Sequence, residues 1–411
     1  MDTTLLLGLI ERKGSISMIL RLYRYYCCTS LSLLLLLGVC SSSVHADGGA
    51  PQLAYVAGTT QGISVIDIAQ RRATRPIAVV GDPGAILLSP DGQELYVTQP
   101  ALGQVAVIAA KTGKTRCIAH VPGQPSRLAL SLDATVLYVA GPGDTSVRAL
   151  NPLTCAIQRT FQTDEPVAGL AVAAATAVNA TPATPNQLWI TGNTMLTVFA
   201  VDGRLLGTVP IVGGPQNISI PGGFTAYVTT RQGTVVAVDL NTRRAFRTLL
   251  RGGQFGTLDY DANTGEVYVP DEQHQQLDIL TPVIAGTTVT AAEPERILHL
   301  RGSPQSVAIT SDGQFGFVSL SNGQVAMLDI PGRSIVSSIS VGGDPHFIIT
   351  GLYPPANSPT SSSSQTAIQA SSTVLSNLPL PLLIALFALV GVLVVGILWF
   401  VWRCSQKWFA G

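Results

Sequence analysis

Short apolar segments separated by polar turns follow one another along most of the chain. In residues 89–115, SPDGQELYVTQPALGQVAVIAAKTGKT, the turn SPDG leads into ELYVTQ, and QVAVIAA follows before the turn KTGK. Apolar positions alternate with polar ones or form short runs, and β-branched and aromatic residues are frequent among them. This pattern predicts β-strands rather than helices.

The same segment recurs along the chain as a repeat. Each copy has a turn that contains Gly and usually Pro, an apolar strand, a strand of the LYV type, a third strand that often ends in Asp, and a fourth strand. The turn position holds Pro83, Pro125, Pro166, Pro215, Gln254, Pro304 and Pro345, at spacings of 42, 41, 49, 39, 50 and 41 residues. The two long spacings contain insertions near residues 180 and 288. Four strands in about forty residues predict a blade of a β-propeller.

Counting the copies predicts an all-β fold, a seven-bladed β-propeller of four-stranded blades over residues 51–352. Residues 53–80 supply three strands of one blade, and the last strand, 346–350, supplies its innermost one. We therefore expect the N- and C-terminal strands of the domain to pair and close the ring. Closure removes the exposed sheet edges that promote aggregation.

The strands YVTQ and YVAG, with VAVIAA and ISVIDI, the Gly-x-Pro turn and SPDG, resemble the YVTN β-propeller repeat family. That family is similar to the quinoprotein amine dehydrogenase β-chain and to lactonase-type propellers. The resemblance covers residues 51–352 and implies the fold. It carries over no catalytic residue, because no active-site motif is matched. The WD40 type is disfavoured, because the chain has no Trp-Asp dipeptide.

The N-terminal region predicts a signal peptide over residues 1–46. Basic residues precede the apolar run LSLLLLLGVC, and the small residues of SSSVHA favour cleavage after Ala46. Met18 is an alternative start, from which the n-region has ordinary length. A lipoprotein reading would use Cys40, but Val39 stands where a small residue is needed.

The C-terminal region predicts a membrane anchor. Residues 353–377 are rich in Ser, Thr and Pro and predict a flexible stalk. Residues 379–402 carry no charge and are long enough, at roughly 35 Å, for a transmembrane helix. Arg403 and Lys407 follow, so the positive-inside rule places the tail 403–411 in the cytoplasm and the propeller outside the cell membrane.

Composition narrows the partners and the redox setting. Charged residues make up 12% of the chain, and residues 47–352 hold 22 acidic against 18 basic side chains, so nucleic acid is an unfavourable partner. The sequons at Asn179 and Asn217 are candidate N-glycosylation sites in a host that glycosylates. Cys117 and Cys155 are a candidate disulfide. Because outer strands of neighbouring blades splay apart, we expect either separate thiols or a loop-mediated bridge.

Candidate binding residues lie in loops whose sequence differs from that of the other copies of the repeat. The loops between second and third strands share one rim with the turns between fourth and first strands, and propellers usually bind ligands at this rim. The loop PDEQHQQ offers acidic and imidazole groups there, and arginines occupy neighbouring turns. The candidate set is Arg231, Arg251, Asp271, Glu272, His274, Arg301 and His346. An ordinary solvated loop with salt-bridging arginines is the alternative.

The sequence contains no zinc, haem, phosphate-loop or nucleophile-elbow motif, so we predict neither a cofactor nor a bound metal. The prediction for function is a membrane-anchored extracytoplasmic module without enzymatic activity, which binds a protein, a glycan or a small molecule or acts as a scaffold. The alternative is a lactonase-like or other hydrolase with its site at the mouth of the propeller channel. A redox role like that of the quinoprotein-type propellers is a third, weaker reading.

Overall fold

The computed structural model describes residues 53–174, 185–287 and 293–351. They form seven antiparallel four-stranded sheets, which are the blades of a β-propeller. The fold class predicted from the repeat is therefore confirmed for the propeller. The predicted signal peptide, stalk, transmembrane helix and cytoplasmic tail lie outside the described residues. Within the described ranges, no helix is both long and apolar enough to cross a membrane.

The strands are given blade by blade, from the innermost strand outward. Blade 1 consists of β28 (Phe347–Thr350), β1 (Leu53–Thr59), β2 (Gly62–Asp67) and β3 (Arg72–Ala73). Blade 2 consists of β4 (Ile86–Leu88), β5 (Glu94–Gln99), β6 (Gln104–Ala109) and β7 (Thr115–His120), with a 3₁₀ turn at Pro100–Leu102. Blade 3 consists of β8 (Arg127–Leu130), β9 (Leu137–Ala140), β10 (Ser146–Leu150) and β11 (Ile157–Gln162). Blade 4 consists of β12 (Gly169–Ala173), β13 (Gln187–Thr191), β14 (Met195–Ala200) and β15 (Leu205–Pro210).

The remaining three blades follow the same order. Blade 5 consists of β16 (Pro215–Ser219), β17 (Thr225–Thr230), β18 (Thr234–Asp239) and β19 (Arg244–Arg251). Blade 6 consists of β20 (Asp259–Tyr260), β21 (Val267–Asp271), β22 (Gln276–Leu280) and β23 (Arg296–His299). Blade 7 consists of β24 (Pro304–Ile309), β25 (Phe315–Leu320), β26 (Gln324–Asp329) and β27 (Ser334–Ser340).

The two ends of the domain close the ring, as the repeat count predicts. The last strand, β28, pairs antiparallel with the first, β1, so that Tyr55 faces Ile349 across the pair. A buried hydroxyl adds to the closure, because Thr350 Oγ1 donates to Ile309 O of blade 7 over 2.8 Å. Pairing the two ends completes the four-stranded sheet of blade 1.

The core lies between adjacent blades. Second and third strands are buried on both faces, which explains why they are continuous apolar runs rather than strictly alternating ones. One cluster, for example, packs Tyr227 of blade 5 against Val267 and Val269 of blade 6. Fourth strands lie at the perimeter and bury few residues, as the pattern of β11 shows. Each blade is therefore stabilised mainly by its two neighbours.

The SPDG turn is a structural element of the repeat. Asp91 Oδ1 accepts hydrogen bonds from Ser89 Oγ and from the backbone N–H of Gln93, and Gly92 adopts a left-handed φ of 71°. Ser131 with Asp133 and Thr310 with Asp312 repeat the side-chain bond. The prediction that Asp91 and Gly92 are turn residues is confirmed.

The two cysteines considered as a candidate disulfide, Cys117 and Cys155, are joined. A disulfide links Cys117 to Cys155, with 6.0 Å between the Cα atoms. The splay of the outer strands does not oppose it, because Cys155 lies in the turn between β10 and β11 and reaches across to β7 on the neighbouring blade. The expectation of separate thiols is therefore wrong, and the loop-mediated alternative describes the bridge.

Candidate functional site

One end of the central channel opens into a cavity of about 900 Å³. We call this cavity the mouth. It lies on the rim where fourth-to-first turns meet second-to-third loops, which is the rim that the repeat pointed to. The backbones come close together here: a Cβ on Gly256 would lie 2.2 Å from the carbonyl oxygen of Gln305 on the next blade. Only glycine permits that approach of blades 6 and 7.

Most of the side chains in the mouth are polar. Six carry amides: Gln216, Asn217, Gln232, Gln254, Gln273 and Gln305. The ionisable groups are Asp82, Arg127, Arg231, Glu272 and His346, and Phe255 and Phe347 are the aromatic residues. Side-chain amides both donate and accept hydrogen bonds, so this lining suits hydroxyl-rich or peptide-like ligands.

Arg127 begins the innermost strand of blade 3 and is partly buried in the wall of the mouth. Its Nε donates to Ala168 O of blade 4, and its Nη1 donates to Ser126 O over 3.1 Å. Burial lowers the pKa of its guanidinium. Among the described residues no ion pair involves this side chain, so its charge is opposed only by carbonyl dipoles.

Glu272 faces the mouth from blade 6. Its Oε2 accepts a hydrogen bond from Gln254 Nε2 over 2.8 Å. Burial raises the pKa of this carboxyl, a hydrogen bond from Gln305 opposes the rise, and the charge of Asp271 adds to it. An acidic group that is held by neutral amides keeps acceptor capacity for a ligand hydroxyl.

His346 precedes the closing strand and links blade 1 to blade 2. Its Nε2 lies 2.9 Å from Pro83 O, and its Nδ1 lies 3.1 Å from Asp344 O. Both ring nitrogens thus lie within hydrogen-bond distance of backbone carbonyl oxygens, and in the neutral ring the protonated nitrogen donates. The imidazole lines the mouth, and its contacts also join two turns of the rim.

The structure brings together three of the seven predicted ligand residues. Arg231, Glu272 and His346 line the mouth, with Arg231 exposed and 3.5 Å from Asn193 O. Arg251 and Arg301 are exposed and lie outside it.

Asp271 and His274 shape the loop instead. Asp271 is buried, and its Oδ1 accepts hydrogen bonds from the backbone N–H groups of Gln254, Gln273 and His274. Its Oδ2 lies 2.7 Å from His274 Nδ1, and this hydrogen bond together with the charge of Asp271 raises the pKa of His274. The exposed imidazole does not face the mouth.

The sequon at Asn217 also has a different environment from that of a surface acceptor. Its Nδ2 donates to Gly256 O over 3.2 Å and joins blade 5 to blade 6. A glycan at this position would break that bond and fill the mouth. The other sequon, at Asn179, lies outside the described residues.

Sequence reasoning missed Arg127 and most of the amides. A usable signal was present in the repeat itself. Two residues after the turn position, which is usually a proline, four of the seven blades have a small or apolar residue: Ala85, Ala168, Gly256 or Phe347. Blade 3 has Arg127 there. Within the described ranges, no group of three or more His, Cys, Asp or Glu side chains has the arrangement to hold a metal ion.

The geometry defines a seven-bladed propeller, and comparisons with solved structures agree with this class. Hydrazine synthase of Kuenenia stuttgartiensis superposes with a TM-score of 0.55 at 16% identity, over 65% of this chain and 89% of that one. The β-propeller domain of Cps50 (Swd1) from Myceliophteria thermophila gives a TM-score of 0.57 at 14% identity, over 67% and 91%. The dihydro-heme d1 dehydrogenase NirN gives 0.52 at 14% identity, over 72% and 74%.

At these identities the likeness shows the fold alone. Two of the three proteins are named as enzymes and the third as a β-propeller domain, so the shared architecture does not select a function. No protein-family model matches the chain, and no curated protein matches it. The YVTN resemblance therefore stays a prediction.

Proposed function

We propose that the chain is a membrane-anchored, extracytoplasmic β-propeller that binds a small polar ligand at the mouth of its channel, and that its repeats are of the YVTN type. The observation that carries the binding function is the composition of the mouth. It combines a cavity of about 900 Å³ with six amides and with charged side chains that form no ion pair among the described residues. A surface with no ligand has little reason to gather unpaired charges in a concave site.

Two features support an extracytoplasmic, anchored location. The Cys117–Cys155 disulfide suits an oxidising compartment, because cytosolic thiols are kept reduced. The uncharged segment 379–402, followed by Arg403 and Lys407, has the length and flanking charge of a membrane anchor with a cytoplasmic tail.

Binding at the mouth is tested by filling it. Gln232 and Gln273 are exposed, line the mouth and lie on loops, so replacing both with tryptophan blocks the cavity with little strain on the blades. The matched control is Asn241→Trp, an exposed turn residue on the opposite rim. We expect the full chain in detergent to bind members of a glycan and peptide array, and the double variant alone to lose that binding. Equal binding by the double variant would place the ligand site elsewhere.

Anchoring is tested separately. We expect the full chain to resist alkaline carbonate extraction from membranes, and a chain that ends at residue 378 to be released. Protease added outside intact cells should degrade the propeller and spare an epitope after residue 403. Full extraction of the intact chain by carbonate would refute the anchor.

The hydrolase alternative has no comparable support. His346 is the histidine of the mouth, and both of its ring nitrogens lie within hydrogen-bond distance of backbone carbonyl oxygens, so neither is placed to take a proton from a bound substrate. His274 is bonded to Asp271 and lies outside the cavity.

A further inference from the structure

Arg127 carries a charge that no carboxylate of the described residues balances in an ion pair. The guanidinium has five N–H donors, and its hydrogen bonds to described residues go from Nε to Ala168 O and from Nη1 to Ser126 O. A partly buried cation is ordinarily paired with a carboxylate, because carbonyl dipoles compensate only part of the lost hydration. No carboxylate of the described residues is paired with it.

The repeat shows that blade construction does not require this arginine. The equivalent positions in blades 2, 4 and 6 are Ala85, Ala168 and Gly256, and these blades still form complete four-stranded sheets. A long cationic side chain that the fold does not demand, placed in the wall of a large cavity, is best explained by an anionic ligand.

The other side chains of the mouth limit the chemical class of the anionic ligand further. A guanidinium is a planar fork that matches a carboxylate through two parallel hydrogen bonds. Across the ring, Glu272 of blade 6 accepts hydrogen bonds, and the amides of Gln216, Gln254 and Gln305 both donate and accept. Hydroxyl groups need such mixed partners. Peptide side chains would instead need apolar pockets, which this predominantly polar lining does not offer.

Building on the proposed function, we propose that the mouth binds a small sugar acid. Arg127 binds the carboxylate through its outward N–H groups, while Glu272 and the surrounding amides bind the hydroxyls. The role of Arg127 is therefore to select acidic over neutral sugars.

The experiment measures binding of D-galacturonate and D-galactose to the full chain in detergent, by calorimetry or by saturation-transfer NMR. We expect galacturonate to bind at least about tenfold more tightly than galactose, as the loss of one charged hydrogen-bonding partner implies. Arg127→Gln, whose amide can still donate to Ala168 O, should abolish that preference by weakening the binding of galacturonate. The matched control is Arg251→Gln, an exposed arginine outside the mouth, which should change the preference less than about threefold.

A second variant guards against loss of folding. If Arg127→Gln lowers the melting temperature sharply, Arg127→Lys keeps the charge but loses the fork, and it should weaken galacturonate binding about fivefold or more.

The possible results separate the two proposals. Equal affinity for the two sugars, or an unchanged preference in both Arg127 variants, overturns the sugar-acid assignment. The proposed function would still stand in that case if the two tryptophans that block the mouth abolish binding to the array. Tighter binding of a tripeptide with a free C-terminus than of galacturonate, lost on C-terminal amidation, would reassign the carboxylate to a peptide and also overturn it. If the mouth-blocking variant changes no binding at all, both proposals fail.

Discussion

Replacing Asp259 with asparagine should stabilise the propeller at neutral and alkaline pH. Asp259 begins the short inner strand of blade 6, and its Oδ2 accepts a hydrogen bond from the backbone N–H of Ile309 on blade 7 over 2.8 Å. Burial is the largest cause that raises the pKa of this carboxyl to about 7, and the charge of Asp261 adds to it. Hydrogen bonds from Ile309 and Tyr260 act in the opposite direction.

The direction of the pH effect follows from linkage. The unfolded chain loses this proton near the ordinary pKa of 3.8, whereas the folded chain keeps it until about pH 7. As the pH rises from 3.8 to about 7, ionisation of Asp259 stabilises the unfolded state but not the folded one, so the free energy of unfolding falls. Above about pH 7 the carboxyl is ionised in both states, and the loss of stability stays constant. The difference between the two pKa values corresponds to about 4 kcal/mol, which is an upper figure for a side chain that is not fully enclosed.

Asparagine keeps an oxygen for the N–H of Ile309 but has no charge to bury. We therefore expect Asp259→Asn to exceed the natural chain in unfolding free energy by about 2–4 kcal/mol at pH 8, and to match it near pH 4. Urea unfolding followed by the circular dichroism of the sheet measures both values. Asp278→Asn is the comparison: burial raises the pKa of Asp278 to about 6, so its advantage should begin at the same pH but level off about one pH unit lower.

The reasoning about Asp259 fails if the asparagine variant is no more stable than the natural chain at pH 8. It also fails if the difference between the two chains does not change between pH 4 and pH 8.

Three further predictions concern the bridge, the loop and the ring closure. Replacing Cys117 and Cys155 with serine opens a cross-link over 38 residues and should lower the unfolding free energy by about 4 kcal/mol relative to the disulfide-bonded chain, and the chemically reduced natural chain should match the variant. Asp271→Asn should lower the pKa of His274 toward its ordinary value in an NMR titration, and an unchanged titration would show that Asp271 does not raise it. Because the folded pKa of His274 is raised, its contribution to stability is present at acidic pH and is lost as the pH rises through that pKa. Thr350→Val removes the hydroxyl that joins blades 1 and 7 and should cost about 1–2 kcal/mol in urea unfolding, whereas a neutral result would show that the strand pairing alone closes the ring.

The fold was readable from the sequence because a propeller is a repeated local unit. Each copy of the turn and of the LYV strand favours the same local structure of strands and turns. The count of copies therefore predicts the number of blades and the pairing of β1 with β28. The disulfide was less predictable. Whether a cysteine near a fourth strand can reach the next blade depends on its place in a turn, and Cys155 lies in one.

The site was predictable only in part, for a related reason. The loop PDEQHQQ drew attention because it is rich in ionisable groups, yet only Glu272 and Gln273 of that loop line the mouth. Asp271 is turned inward to bind the N–H groups of its own loop. Ionisable side chains at neighbouring positions thus serve different purposes, and the sequence does not state which way each one points.

By itself the sequence determined the architecture, because strand period, turn chemistry and repeat length are local properties that seven copies reinforce. Only the tertiary structure decided which side chains share a cavity. The mouth is assembled from the starts of inner strands and from second-to-third loops, which lie far apart in the chain and meet only when the ring closes. Arg127 and Glu272, 145 positions apart, face one cavity for that reason.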